Sequence, residues 1–168
     1  FLPAGFYYKT FMWPKSFWYK IYEPFIRKAA GLGTASIKHD KERYEHKYEY
    51  CDLLITGSGP SGLASAYSAA KNGAKVILAE DKSRFGGTLL TSDVNIGNQS
   101  GKEWADSIVS ELKEMSNVTI KNRSQVFGYY DHNMLVMSER ISDHLPKTKK
   151  YHPKQRLWYI RAKEVLIS

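Results

Sequence analysis

The chain has 168 residues, about 42% of them hydrophobic, which is the size and composition of one ordinary globular domain. Its formal charge of +8, from 25 Lys and Arg against 17 Asp and Glu, raises nucleic acid or an anionic surface as a partner. No stretch approaches the roughly 20 consecutive apolar residues that a spanning helix needs, and Cys51, the single cysteine, excludes internal disulfides and cysteine-based metal clusters.

Residues 1–50 are aromatic and basic without a clean period: Phe6, Tyr7, Tyr8, Phe11, Trp13, Phe17, Trp18, Tyr19, Tyr22 and Phe25 crowd together. The pattern predicts a helix over about Lys15 to Ala30, begun by Pro14, stopped by Gly31, and kinked or broken at Pro24. Gly33 to Tyr50 reads as a polar linker. An interfacial membrane helix would share the aromatic and basic character, but a segment that wraps over a neighbouring domain is the preferred reading. Phe1 to Gly5 does not resemble the start of a signal peptide, and the last strand stops without a closing turn, so the chain reads as a fragment cut at both ends. Three Asn-x-Ser/Thr triplets, at Asn98, Asn117 and Asn122, are read as chance matches, and a reducing cytoplasm as the compartment.

From Cys51 the pattern sharpens. Leu53, Leu54 and Ile55 form a buried strand bounded by Gly57; Ser61 to Asn72 reads as a helix capped by Gly73; Lys75 to Ala79 is a second buried strand. Gly101 to Ser116 carries Trp104, Ala105, Ile108, Val109, Leu112 and Met115 on one helical face. Further strands are predicted at Val118 to Lys121, Gln125 to Tyr130, Met134 to Met137, Arg156 to Arg161 and Val165 to Ile167. A basic cluster of Lys147, Lys149, Lys150, Lys154 and Arg156 reads as a solvated loop. The expected division is a connecting segment at 1–50 and the N-terminal part of a dinucleotide-binding domain at 51–168.

The chemistry lies in I-T-G-S-G-P-S-G-L-A, where Gly57, Gly59 and Gly62 form G-x-G-x-x-G. Gly57 turns the chain out of the strand, Gly59 lets the backbone approach a pyrophosphate, and Gly62 lets the helix pack against the strand. Ser58, Pro60 and Ser61 complete the turn, whose helix N-terminus offers N–H groups and a positive dipole end to phosphate. Glu80 follows the second strand, 21 residues after Gly59, where an acidic residue is expected to bond a ribose hydroxyl. Glu80 and Asp81 would repel a 2′-phosphate and so favour NAD or FAD over NADP; Lys82 and Arg84 weaken that preference. The Gly86–Gly87 pair either approaches the same pyrophosphate or is an ordinary turn. His39, His46, His132, His144 and His152 lack metal-ligand spacing, and no nucleophile motif appears, so the chain is expected to bind rather than to catalyse.

Leu2 to Pro14 (L-P-A-G-F-Y-Y-K-T-F-M-W-P), Tyr22 to Gly33, C-D-L-L-I-T-G-S-G-P-S-G-L-A, R-F-G-G-T-L-L, Val126 to Asn133 (V-F-G-Y-Y-D-H-N) and the ending L-W-Y-I-R-A-K-E-V-L-I-S together resemble the alpha subunit family of heterotetrameric sarcosine oxidase. The resemblance implies a Rossmann-like FAD/NAD(P)-binding fold, α/β and three-layered as in glutathione reductase, incomplete at its C-terminus. It implies an enzyme that converts sarcosine, tetrahydrofolate and oxygen to glycine, 5,10-methylenetetrahydrofolate and hydrogen peroxide. FAD would sit in a beta subunit, FMN between alpha and beta, and tetrahydrofolate in a C-terminal domain absent from this chain, as is an N-terminal ferredoxin-like domain. Partners would be beta, gamma and delta subunits, with neither nucleic acid nor membrane. NAD would bind here, with Gly57, Gly59, Ser61 and Gly62 at the phosphates, Glu80, Asp81 and Lys82 at the ribose, Thr88 after the glycine pair and Val126 beside the adenine. Two other readings are a subunit of an FAD-dependent amine or opine dehydrogenase and a basic module for RNA or membrane surfaces.

Overall fold

The computed structural model describes residues 13–33, 35–146 and 151–168. It divides into two compact units, residues 1–40 and 41–168, so the second begins ahead of the boundary expected after residue 50. In the first unit a helical run passes from α1 (Lys15–Phe17) through a π-helical turn at Trp18–Tyr22 into α2 (Glu23–Ala29). The sequence predicts a kink or break at Pro24; Pro24 lies in the first turn of α2, where a missing N–H costs least, and the wider π turn precedes it. Gly31 then ends the run, with Leu32 N–H donating to the Arg27 carbonyl and Gly31 N–H to that of Lys28. Leu2 to Met12 of the aromatic block, and Lys147, Lys149 and Lys150 of the basic cluster, lie outside the described residues.

The second unit runs β1 (Tyr44–Thr56), α3 (Pro60–Lys71), β2 (Val76–Ala79), a 3-10 turn at Gly87–Leu90, the short pair β3 (Asn95–Ile96) and β4 (Gln99–Ser100), α4 (Gly101–Glu114), β5 (Val118–Lys121), β6 (Ser124–Tyr130), β7 (Met134–Arg140) and β8 (Gln155–Ile167). The main sheet has the order β5-β2-β1-β8-β7-β6, with β5, β2, β1 and β8 parallel and β6, β7 and β8 antiparallel. The short pair β3 and β4 is not predicted from sequence, β7 runs on to Arg140 rather than ending at Met137, and the two long strands differ most. β1 begins at Tyr44 rather than near Cys51, because Tyr44, His46, Tyr48 and Tyr50 alternate with Glu45, Lys47 and Glu49 and pair with Gln155 to Arg161 of β8. β8 is one strand, not two: it spans the polar Lys163 and Glu164 without a break.

Burial explains the layering. On one side, α3 and α4 supply Leu63, Ala66, Ala105, Ile108, Val109 and Leu112, packed on Ile55, Val76 and Leu78 of the parallel strands. On the other, Leu54, Ile77 and Ala79 meet Leu135, Met137, Ile160 and Ala162, so the antiparallel strands fold over the sheet's second face. Helices, parallel strands and antiparallel strands form three layers, an α/β arrangement. The carboxyl ends of β1 and β2 are thereby left open at the edge of this sandwich.

Candidate functional site

Two glycine turns meet at those carboxyl ends. Gly57 leaves β1 with φ +95°, and its N–H donates to the Ala79 carbonyl at 2.8 Å, tying the turn to β2. A Cβ on Gly62 would overlap the Gly57 carbonyl oxygen, so the start of α3 can approach the strand only with glycine there. Gly59 is the N-cap of α3 and Pro60 its first residue, a position where the absent N–H has no helical partner to lose. The N–H groups of Ser61 and Gly62, in that first turn, have no intrahelical acceptor.

The second turn docks onto the first. Gly86 N–H donates to the Ser58 carbonyl at 3.0 Å and also approaches Ser58 Oγ at 3.2 Å. A Cβ on Gly87, which has φ +53°, would lie 2.9 Å from Gly59 Cα. The glycine pair is therefore the counter-wall of the phosphate-type turn rather than a free loop. Thr88 lies in the 3-10 turn that follows, exposed, with its carbonyl accepting from Thr91 and Ser92.

Gly59 is different in kind. Its φ is −64°, and an added Cβ would meet nothing nearer than Ser168 Oγ at 3.9 Å. Neither backbone conformation nor packing requires glycine at this position.

Glu80 is buried at 6% exposure and faces inward. Its Oε2 accepts from Ser58 Oγ at 2.5 Å and Ser58 N at 3.0 Å, and its Oε1 from Lys82 N at 3.0 Å. Burial alone would raise its pKa, but the bonds from the Ser58 side chain, from Asp81 and from the Lys82 and Ser58 N–H groups hold it below the ordinary carboxylate value. Asp81 moves the other way, raised by its hydrogen bond to Glu80, by burial and by the Glu80 charge. The two carboxyls act as a coupled pair. The sequence predicts Glu80 at a ribose hydroxyl; in the structure its carboxylate ties together the strand end, the phosphate-type turn and the Lys82 turn. Ser58, fully buried, is the link it missed, since a hydroxyl in the middle of G-x-G gives no local sign of a partner 22 residues away.

A cleft of about 300 Å³ opens beside these turns, lined by Thr56, Gly57, Ala79, Asp81, Ser124, Gln125, Val126 and Ser168. It brings Gly57, Asp81 and Val126 together; the side chains of Lys82 and Thr88 are exposed and are not part of its lining. Thr56, Ser124, Gln125 and Ser168 were not anticipated. An apolar recess of Val126, Phe127, Gly128, Tyr129, Leu135 and Ile167 shares Thr56 and Val126 with it. Among the described residues no group of three His, Cys, Asp or Glu side chains is placed to hold a metal ion, and no helix is long and apolar enough to cross a membrane.

Comparison with known proteins gives this architecture a family. The FAD dependent oxidoreductase model matches residues 52–150. The sarcosine oxidase subunit alpha of Rhizobium meliloti (strain 1021) is 45% identical over the whole chain, and that of Corynebacterium sp. (strain U-96) is 34% identical over 83% of it. The chain spans only 17% and 15% of the length of these two relatives. The crystal structure of L-proline dehydrogenase from P. horikoshii matches the fold with a TM-score of 0.55 at 20% identity, over 80% of this chain and 25% of that one. With a dinucleotide-type turn, a three-layer fold and these relatives in agreement, the chain belongs to the FAD dependent oxidoreductase family and is similar, along its whole length, to sarcosine oxidase alpha subunits.

Proposed function

We propose that this chain is the dinucleotide-binding portion of the alpha subunit of a sarcosine oxidase-like enzyme, and that it holds NAD across the paired glycine turns. The carrying observation is Gly59, a glycine that the fold itself does not need, at the head of a helix whose first N–H groups are unpaired. The pyrophosphate would lie over Gly59, Ser61 and Gly62, with Gly86 and Gly87 closing the far wall. The ribose would lie toward Glu80, Asp81 and Lys82, and the adenine in the cleft beside Val126. The dinucleotide supplies redox chemistry when bound; the residues of this chain bind and orient it.

The whole enzyme would convert sarcosine, tetrahydrofolate and oxygen to glycine, 5,10-methylenetetrahydrofolate and hydrogen peroxide, working in the cytoplasm with beta, gamma and delta subunits. The two alpha-subunit relatives support this assignment. One observation favours a second reading: the matching family model describes FAD dependence, so the same turns would hold the ADP half of FAD, as in an amine or opine dehydrogenase subunit. A calorimetric titration of the intact protein with NAD and FAD, repeated with Gly59→Val, decides between them. NAD binding lost in Gly59→Val, with an unchanged far-UV CD spectrum, is the expected result. Tight FAD binding with flavin absorbance moves the assignment to the second reading. Undiminished affinity in Gly59→Val removes the site altogether.

A further inference from the structure

Ser168, directly after β8, forms a third wall of the phosphate-type turn. Its N–H donates to the Thr56 carbonyl at 2.9 Å, which carries the Ser168 backbone over Gly57. A Cβ on Gly57 would stand 2.5 Å from the Ser168 carbonyl oxygen, and one on Gly62 would stand 3.3 Å from Ser168 Oγ. The same Oγ is the atom nearest to where a Cβ on Gly59 would lie, at 3.9 Å. The Ser168 hydroxyl therefore stands beside the head of α3, where the fingerprint glycines bring the backbone close.

Across from it is Ser61, the second residue of α3, and the two hydroxyl oxygens meet at 2.6 Å. Two hydroxyls carry two protons, and the bond between them uses one. Neither oxygen has another protein partner among the described residues, so one O–H is left over. Both residues are exposed, and that O–H is available to a group arriving from outside. The Ser61 N–H, in the first turn of the helix, also lacks an intrahelical acceptor. Ser61 thus brings two donors to one place. A hydroxyl that accepts from a neighbouring hydroxyl is polarised toward donating its own proton.

We propose that Ser168 is a positioning residue for the pyrophosphate of the bound dinucleotide: its O–H donates to Ser61 Oγ and so turns the Ser61 proton toward a phosphate oxygen. The proposal rests on the dinucleotide reading of the paired glycine turns. It adds to that reading a residue 107 positions away from Ser61, which only the pairing of β8 with β1 brings to the turn. The order of donation follows from where the charge would sit. The phosphate would lie over the start of α3, beside the Ser61 N–H, so the outward proton belongs to the hydroxyl of that residue.

The test is a calorimetric titration with ADP, the half common to NAD and FAD, on the intact protein stripped of bound nucleotide. Ser168→Ala is expected to weaken ADP binding about fivefold, the size of one neutral hydrogen bond, with an unchanged far-UV CD spectrum. Ser168→Thr keeps a hydroxyl at the same place and should stay within about twofold of wild type. Ser61→Ala, which removes the contact to the charged phosphate itself, should cost about tenfold. Adding Ser168→Ala to Ser61→Ala should then cost nothing further, because Ser168 acts only through Ser61. A merely structural role would carry its loss into that background. Undiminished ADP affinity in Ser168→Ala overturns the proposal. So does a loss that Ser168→Thr fails to restore, or one that persists in the Ser61→Ala background. If wild type binds none of ADP, NAD and FAD, the dinucleotide reading itself fails and the positioning role falls with it, a result distinct from a Ser168→Ala variant that binds ADP as wild type does.

Discussion

Ser58 sits at the point where two turns and a carboxylate meet, and its hydroxyl serves both sides. It donates to Glu80 and lies within reach of the Gly86 N–H. In Ser58→Ala the Glu80 carboxylate keeps the Ser58 and Lys82 N–H groups but loses its shortest bond inside the protein. A hydrogen bond to a buried charged group contributes about 1.5–3 kcal/mol, so a loss of that order is expected at neutral pH. The pH dependence has a definite sign. Glu80 is held below its ordinary value, so the stability it contributes is present above the unfolded pKa, near 4.5, and disappears as pH falls through the lower folded value. Asp81, raised, contributes stability that is complete at low pH and is lost as pH rises through its folded value. Urea midpoints of wild type and Ser58→Ala should therefore differ most at neutral pH and converge in acid, where Glu80 is protonated in both. A difference that stayed constant across that range would assign Ser58 to packing. The fingerprint glycines are legible in sequence because their spacing after a strand and before a helix is a local signal. The clasp was not, since its two halves are 22 residues apart and only the fold joins them.

Among the elements, α4 carries the most complete local signal. Ser100 caps it by accepting from Glu103 N–H at 3.3 Å, while the Glu103 carboxylate accepts from Ser100 N–H at 3.0 Å, a reciprocal capping box. Ser100→Ala should cost about 1 kcal/mol, read as a lower thermal midpoint with the native CD spectrum retained. A loss near zero would mean that packing of Ile108, Val109 and Leu112 alone sets the start of this helix. α3 shows the same agreement at its other end: Gly73, expected as its stop, has φ +84° and donates to the Ala70 carbonyl while Ala74 N–H reaches Ala69. Helices and the short buried strands were readable because caps and apolar periods are local. The long strands were misread for a physical reason. Tyr44–Tyr50 is charged on alternate residues and mostly exposed, so its pairing with β8, not its hydrophobicity, makes it a strand.

At the scale of the molecule, the pairing of β1 with β8 joins the two halves of the second unit. It holds the parallel strands that carry the glycine turns to the antiparallel strands that carry Val126. The N-terminal half of β1 has no counterpart in the buried core, yet it gives β8 its partner from Gln155 to Arg161. It also contributes the Tyr48–Tyr159 stack, with ring centroids 5.1 Å apart, and the Glu45 carboxylate that Arg156 binds at 2.9 Å. Arg156 in turn reaches Glu139, which accepts from Trp158 Nε1 at 2.6 Å, so losing Glu45 would unsettle a partly buried network. Two truncations measure what this segment contributes. A chain beginning at Lys41 keeps every residue of the second compact unit and should unfold cooperatively. A chain beginning at Cys51, the start of the apolar run, leaves a seven-residue edge on β8 that invites pairing with another chain. It should melt lower by on the order of 10 °C or more, corresponding to several kcal/mol, and should aggregate on heating. Equal midpoints for the two would mean that β1 holds the sheet only from Cys51 onward. The site's geometry would then be independent of the aromatic extension, and the nucleotide affinities of the two truncations should agree as well.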